Sequence, residues 1–306
     1  MAINRTKLLG LLFVTIAIFL GSYAYGEGKY RVLFDAGHAQ SAGRHADWVI
    51  DDDLPTPRPA RPSSSEDWSG GLSSWAFDLY KSGRYEVEST REPLSFGVLE
   101  DPQDLSRFDV LILCEPNADL KPLEREAIIS FVKAGGGVFL IANHFGSDRD
   151  GDGIDSTGVF NKLESHTGIH FQGKGEFHSW LKGGHHTANF CTEGCLMLQG
   201  PFGMVERVYL NSFGTIRLLK ALNSSATGHI WLEGSRPLDM DILLATASLG
   251  RGRVAALSDS SPADDGTTPV PGKQLYNGWL ANGVQNNWLI LNTTEFLAVN
   301  GLKSGR

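Results

Sequence analysis

A helix, a glycine triplet and an apolar run follow one another directly in the middle of the chain, and they restrict the fold more than any other feature. Pro122 opens a predicted helix over 122–133, with Leu123 and Phe131 on one face. The glycines at 135–137 end this helix, and the apolar run over 137–142 is typical of a buried strand. A helix that leads directly into a buried strand indicates a repeating unit of a parallel sheet.

The same alternation appears earlier in the chain. Residues 30–34, 85–90 and 110–114 are predicted as strands, and residues 72–81 as a helix that Gly83 stops. Strands separated by helices predict an α/β fold of flavodoxin-like type, in which helices cover both faces of a mostly parallel sheet.

The rest of the chain is predicted less regularly, as a single domain over 27–306 with irregular insertions. The predicted elements are a helix over 156–166, a hairpin of strands 242–249 and 254–257, a last helix over 287–298, and long loops over 39–69 and 171–203. The loop over 39–69 contains Trp48 and Trp68, which either pin it to the core or belong to a lid over a substrate.

The first 26 residues have the order of a secretory signal peptide. Arg5 and Lys7 precede an apolar run over 8–20, and small residues follow around Ser22 and Ala24. The run is too short for a comfortable membrane span, so we expect a periplasmic or secreted protein without a membrane span after cleavage.

A formal net charge of −8 also makes nucleic acid an unfavourable partner.

The three cysteines predict one buried thiol and one crosslink. Cys114 lies in an apolar run and is expected in the core. Cys191 and Cys195 are close enough in sequence for a disulfide in an oxidising compartment. The alternative is a zinc site that uses both cysteines with His185 or His186.

Polar residues follow three of the predicted strands and form the candidate catalytic set. Asp35 and His38 follow the first strand, His144 follows the strand over 137–142, and Asp259 and Ser260 follow the strand over 254–257. Ligands of open α/β sheets bind beyond the carboxyl ends of the strands, so these residues are expected to line one pocket. His144 would act there as general base, or hold a catalytic divalent metal such as zinc together with the carboxylates. Ser260 is a candidate nucleophile. The alternative is that these residues only cap turns and helices.

A second metal is suggested by the sequence directly after His144. Asp148, Asp150 and Asp152 have the Asp-x-Asp-x-Asp-Gly spacing of a calcium loop, and Asp155 extends the acidic set. Val159 occupies the position at which an EF-hand has a bidentate Glu. The alternative to a calcium site is an Asp- and Gly-rich turn before the next helix.

The order of these segments resembles the class I glutamine amidotransferase-like fold, in particular its ThuA-like (trehalose-utilisation) branch and related exported proteins. The resemblance is carried by the first strand with Asp35 and His38, and by residues 108–117, 123–144, 252–262 and 286–298. It implies an amidotransferase-like scaffold. The turn that would present the nucleophilic cysteine of a glutamine amidotransferase presents His144 here, so cysteine-dependent glutamine hydrolysis is not expected.

Three functions are therefore consistent with the sequence. The first is an exported hydrolase of a carbohydrate or amide, and the second is a non-catalytic module that binds a glycan or another small molecule. The third follows from the run over 32–38, which resembles the opening of zinc-dependent N-acetylmuramoyl-L-alanine amidases, although no suitable Glu ligand follows His38.

Overall fold

The structure is a computed structural model that describes residues 28–43, 46–53, 55–188, 195–268, 270 and 276–299. The predicted signal peptide and Cys191 lie outside these residues. The helices are α1 (Ser73–Lys81), α2 (Pro122–Ala134), α3 (Ser156–Asn161), α4 (Glu164–Thr167) and α5 (Asn286–Ala298). The strands are β1 (Tyr30–Asp35), β2 (Tyr85–Thr90), β3 (Val110–Cys114), β4 (Gly137–Ile141), β5 (Ile169–Phe171), β6 (Gly184–Thr187), β7 (Gln199–Gly200), β8 (Gly203–Met204), β9 (Arg207–Leu210), β10 (Ile216–Leu218), β11 (Thr227–Trp231), β12 (Ile242–Leu249) and β13 (Gly252–Leu257).

A nine-stranded mixed sheet forms the centre of the described part of the chain. Its order is β2-β1-β3-β4-β13-β12-β10-β5, and β11 pairs with β12 at the side of this path. The strands β2, β1, β3, β4 and β13 run parallel, whereas β12, β11, β10 and β5 add antiparallel pairs. Every residue of β3 and β4 is buried, as expected for the central strands of a covered parallel sheet.

Helices cover both faces of this sheet and create two apolar cores. The side chains of α1 and α5 pack on one face, where Trp75 lies edge-on against Phe139 with ring centroids 5.9 Å apart. The side chains of α2 and α3 pack on the other face, where Phe131 and Phe160 are almost fully buried. The predicted α/β class with a mostly parallel sheet is therefore confirmed.

The second half of the chain departs from the predicted elements. The helix predicted over 156–166 is divided into α3 and α4, with the buried Leu163 between them. Strands β5 to β11 were not predicted, and β6 and β7 lie within the loop expected over 171–203. These strands are only two to five residues long, and β6 finds its partner in β9, more than ten residues away. Short strands with distant partners leave little periodic pattern in the sequence.

The long segment after β1 is held against the core. Trp48 and Trp68 are only 2% and 3% exposed, and the Trp68 indole N–H donates to the carbonyl of Pro59 over 3.3 Å. The backbone N–H groups of Gly70 and Leu72 donate to the carbonyls of Ile50 and Val49. This packing supports the interpretation in which the tryptophans pin the loop.

Two further findings concern the membrane and the cysteines. None of the helices within the described ranges is long and apolar enough to cross a bilayer.

Cys114 is a free, buried thiol, and burial raises its pKa, so it is not poised as a thiolate nucleophile. Cys195 is disulfide-bonded.

Candidate functional site

Three neighbouring parallel strands bring polar residues to one edge of the sheet. Glu115 follows β3, Asn143 and His144 follow β4, and Ser260 follows β13. Because β3, β4 and β13 are adjacent and run in the same direction, their carboxyl ends lie side by side. This is the location at which ligands bind in open α/β sheets.

Glu115 is the centre of this group of residues. Its side chain is fully buried, and its backbone has a φ of 46°, a left-handed conformation that is unusual for a residue other than glycine. One carboxylate oxygen accepts from Arg149 Nε at 2.9 Å, and the other accepts from Asn143 Nδ2 at 3.0 Å and from the hydroxyl of Ser260. A strained backbone that persists at a strand end is often stabilised because it positions functional groups.

The three partners of Glu115 line a small cavity of about 140 Å³. Its other lining residues are mostly aromatic or uncharged, and one is acidic: Trp48, His144, Asn211, Ser212, Ser261, Asp264 and Tyr276. The guanidinium carbon of Arg149 lies 5.4 Å from the centroid of the Trp48 ring, within cation–π range. The described lining residues therefore present one cation, one imidazole, one carboxyl group and several hydroxyl and amide groups to a ligand.

His144 is fixed in one tautomer. Its Nδ1 lies 2.7 Å from the carbonyl oxygen of Phe145, which accepts only, so Nδ1 carries the proton and Nε2 has the free electron pair. Burial lowers the pKa of His144, and the neighbouring Arg149 adds to this effect. The imidazole is consequently neutral near pH 7 and able to accept a proton at Nε2.

Two buried carboxyl groups near the cavity have pKa values that are shifted in the opposite direction from that of His144. Burial raises the pKa of Asp264 to about 8 and that of Asp259 to about 7. Asp264 lines the cavity and accepts from the backbone N–H of Gly266 at 2.7 Å. Asp259 lies outside the lining and accepts from the backbone N–H of Asn211 at 2.6 Å and from Ser261. Asp264 is therefore mostly a neutral acid at pH 7, which makes it a proton donor.

The structure does not bring Asp35 and His38 into this cavity. The prediction that all of the strand-end residues line one pocket is therefore corrected for these two residues. His38 Nδ1 lies 2.9 Å from both carboxylate oxygens of Asp35, and its Nε2 lies 3.2 Å from Glu124 on α2. Although burial alone would lower it, these two carboxylates raise the pKa of His38 to about 9. His38 is a buried imidazolium whose ring nitrogens are both occupied.

The residues at the strand ends do not fit a zinc site either. Neither ring nitrogen of His38 has an electron pair available to a metal, and both oxygens of Asp259 accept hydrogen bonds from its neighbours. His38, the first ligand of the zinc-amidase alternative, is engaged here by Asp35 and Glu124 instead.

The predicted calcium loop is folded as a compact turn. One carboxylate oxygen from each of Asp148, Asp150 and Asp152 lies within 4.8 Å of the others, a spacing that would admit a cation. Asp155 is separate from this group. Its oxygens accept from the backbone N–H groups of Gly158 and Gly146, so it caps α3.

Several site residues were not identified from the sequence. Glu115 directly follows a predicted buried strand, so the strand-end rule that selected His144 also applied to it. Arg149 lies within the predicted calcium loop, and Asp264 follows the predicted Asp259–Ser260 pair by only a few residues. No local pattern distinguishes Asn211 or Tyr276, which reach the cavity through the tertiary fold.

Comparison with known proteins places the fold but not the activity. No family model matches the sequence, and no curated protein sequence is significantly similar to it. The N-terminal domain of mmIFT52 is similar in structure with a TM-score of 0.52 and 12% identity, over 87% of this chain and 97% of that one. A cytoplasmic protein from Salmonella typhimurium has a TM-score of 0.51 and 14% identity, over 88% and 99% of the two chains.

The predicted resemblance is found among these structural neighbours. A putative ThuA-like protein from Parabacteroides merdae is similar with a TM-score of 0.50 and 12% identity, over 90% of this chain and 91% of that one. At such low identity the likeness concerns the fold alone, because one fold carries many activities. The chain thus has an α/β fold that it shares with ThuA-like, amidotransferase-like proteins.

Proposed function

We propose that this protein is a hydrolase of a small polar substrate, either a carbohydrate or an amide, and that the cavity beside His144 is its active site. The observation that carries the proposal is the state of His144. Its proton is fixed on Nδ1 by the Phe145 carbonyl, and its lowered pKa leaves Nε2 free to accept a proton from water. A neutral histidine in a polar cavity is the usual general base for such a step.

Asp264 supplies the complementary acid. With a pKa of about 8 it holds its proton at pH 7, and it lines the same cavity as His144. Two titratable groups whose pKa values are shifted in opposite directions are typical of an acid–base pair. In the proposed reaction the water oxygen attacks the substrate while His144 takes a water proton. Asp264 gives its proton to the leaving oxygen or nitrogen, and a proton passes from His144 back to Asp264 before the next turnover.

Ser260 is not the nucleophile in this proposal. Its hydroxyl donates to Glu115, a fully buried carboxylate that also binds Asn143 and Arg149. The serine proton is therefore directed away from His144, and no Gly-x-Ser-x-Gly elbow surrounds it. We assign Ser260, Asn143 and Glu115 to positioning the cavity wall.

The alternative is a binding module without turnover. It is favoured by the same hydrogen bond at Ser260, because none of the described residues that line the cavity is an activated side-chain nucleophile. We further propose that the protein is exported, which is supported only by the order of basic, apolar and small residues over 1–26.

The two functions are separated by measuring binding and turnover on the same variants. Chromogenic glycosides and N-acyl amides serve as the substrate panel, with His144→Gln and Asp264→Asn as the test variants. Removal of a general base or acid typically costs about 10²- to 10⁴-fold in kcat. His166→Gln is the matched control, since His166 is exposed and does not line this cavity.

We expect both test variants to lose turnover with little change in KM, and the control to retain it. Full activity in His144→Gln would exclude His144 as the base. Wild-type protein that binds members of the panel without hydrolysing any of them would establish the binding module instead.

A further inference from the structure

Arg149 has unused hydrogen-bonding capacity inside the cavity. Its Nε donates to Glu115, its backbone N–H donates to Asn117 at 3.0 Å, and Trp48 lies against its guanidinium group. Neither Nη atom makes a hydrogen bond to any residue within the described ranges. Three contacts thus fix the position of the guanidinium group while its two terminal nitrogens stay available to a ligand.

The unused N–H donors of Arg149 favour an anion with a single negative charge, while the Nε side of the guanidinium group is already paired with Glu115. Among the lining residues that the structure describes, Arg149 is the only cation and Asp264 is the only carboxyl group. Asp264 is largely protonated at pH 7, and Glu115 lies behind the lining with both oxygens already bonded. A planar guanidinium group with two parallel N–H donors matches the geometry of a carboxylate.

The size of the cavity limits the group that enters it. Its volume of about 140 Å³ is close to that of engineered protein cavities of about 150 Å³ that hold one benzene molecule. A carboxylate with a few attached atoms fits this space. A phosphate would also fit, but its second negative charge meets no second cation among the described lining residues.

We infer that the ligand of this cavity carries a carboxylate that binds to the two Nη atoms of Arg149. The ligand is accordingly a small acid whose carboxylate end enters the cavity, such as a uronic acid or an N-acyl amino acid, and not its neutral analogue. This inference rests on the proposed function only in using the same cavity, because a binding module would recognise the carboxylate in the same way.

The groups around Asp264 add a pH dependence to this recognition. Asp47, Asp265 and Glu115 act on Asp264 electrostatically, and Arg149 lines the same cavity. When Asp264 ionises, it places a negative charge beside the bound carboxylate. The affinity for acids is therefore expected to fall as the pH rises from 7 to 9, while the affinity for neutral analogues stays nearly constant.

The test measures calorimetric binding of paired probes to the full chain. The pairs are D-glucuronate with D-glucose and N-acetyl-L-alanine with its amide, and inorganic phosphate is a further probe. We expect the member with the carboxylate in one of the pairs to bind about 10- to 100-fold more tightly, the range of a charge-assisted hydrogen bond. Equal affinity within both pairs, or tighter binding of phosphate than of either acid, overturns the inference without any variant.

Variants then assign the selectivity to Arg149. Arg149→Met should abolish the preference for the acid, and Arg149→Lys should retain part of it as a point charge. Arg61→Met is the control, since Arg61 is exposed and lies outside the cavity. If Arg149→Met does not fold because Glu115 loses its partner, the double variant with Glu115→Gln removes both charges. Acid selectivity that survives in either folded variant contradicts the inference.

The outcomes also separate this inference from the proposed function. Selective binding of acids without turnover leaves the carboxylate site intact and removes the hydrolase. Turnover of neutral substrates that depends on His144, with no preference for acids, leaves the hydrolase intact and removes the carboxylate site.

Discussion

Replacing Glu115 by Gln should destabilise the protein strongly, although it removes only a charge. Glu115 is fully buried, and its two oxygens together accept hydrogen bonds from Arg149, Asn143 and Ser260. A glutamine has one oxygen and one NH₂ group at the same positions. Whichever way it is turned, the NH₂ group meets another donor, and Arg149 loses its carboxylate partner.

The size of the effect follows from the burial of the partners. Breaking a buried ion pair on one side costs about 3–5 kcal/mol. The side chain of Arg149 keeps 21% of its exposure, so water recovers part of this cost and about 2–4 kcal/mol remains. For a domain of this size we expect the melting temperature to fall by about 3–7 °C.

Circular dichroism melts at pH 8 measure this difference. Burial raises the pKa of Glu115, so an alkaline buffer favours the carboxylate form that the variant replaces. Glu100→Gln removes the same charge from an exposed position and serves as the control, with an expected change within about 0.5 kcal/mol. A Glu115→Gln protein that melts within 1 °C of this control, a limit set at about the error of such melts, would refute the role of Glu115 as the buried centre of the site.

Three further outcomes are expected. His38 has a pKa of about 9 in the folded protein, above its usual value of 6.5; its stabilising contribution should be complete below pH 6.5 and lost as the pH rises through 9. Urea unfolding of wild type and His38→Gln should therefore converge above pH 9, and a gap that is constant with pH contradicts the assignment. Calcium bound by Asp148, Asp150 and Asp152 at about 100 times its Kd should stabilise the fold by about 2.7 kcal/mol; melts in calcium and in chelator should differ for the wild type but not for Asp150→Asn, and equal wild-type midpoints argue against a calcium site. Export should remove roughly the first two dozen residues, so the intact mass of protein from its native host should lack them, and a full-length mass excludes cleavage.

The sequence by itself determined the architecture of the parallel half of the sheet. The strands over 110–114 and 137–141 are continuous apolar runs, and α2 combines Pro122 at its start with a glycine at its end. These signals are local, because burial on both faces and helix capping both act on neighbouring residues. The rule that polar site residues follow the carboxyl ends of parallel strands also predicted that His144 and Ser260 lie at one edge of the sheet.

Tertiary structure alone decided which of the polar residues share a cavity. Asp35 and His38 end a parallel strand at the same edge, yet Glu124 of α2 engages His38 in a separate ion pair. Glu115 draws together Asn143 and Arg149 from the loop after β4 and Ser260 from the end of β13. The strand order predicts which residues lie at one edge of the sheet. Which of these residues pair with one another depends on hydrogen bonds and charges between residues that are distant in sequence. Such pairings leave no periodic pattern in the chain, because they are fixed by the energy of burying a charge with its partner.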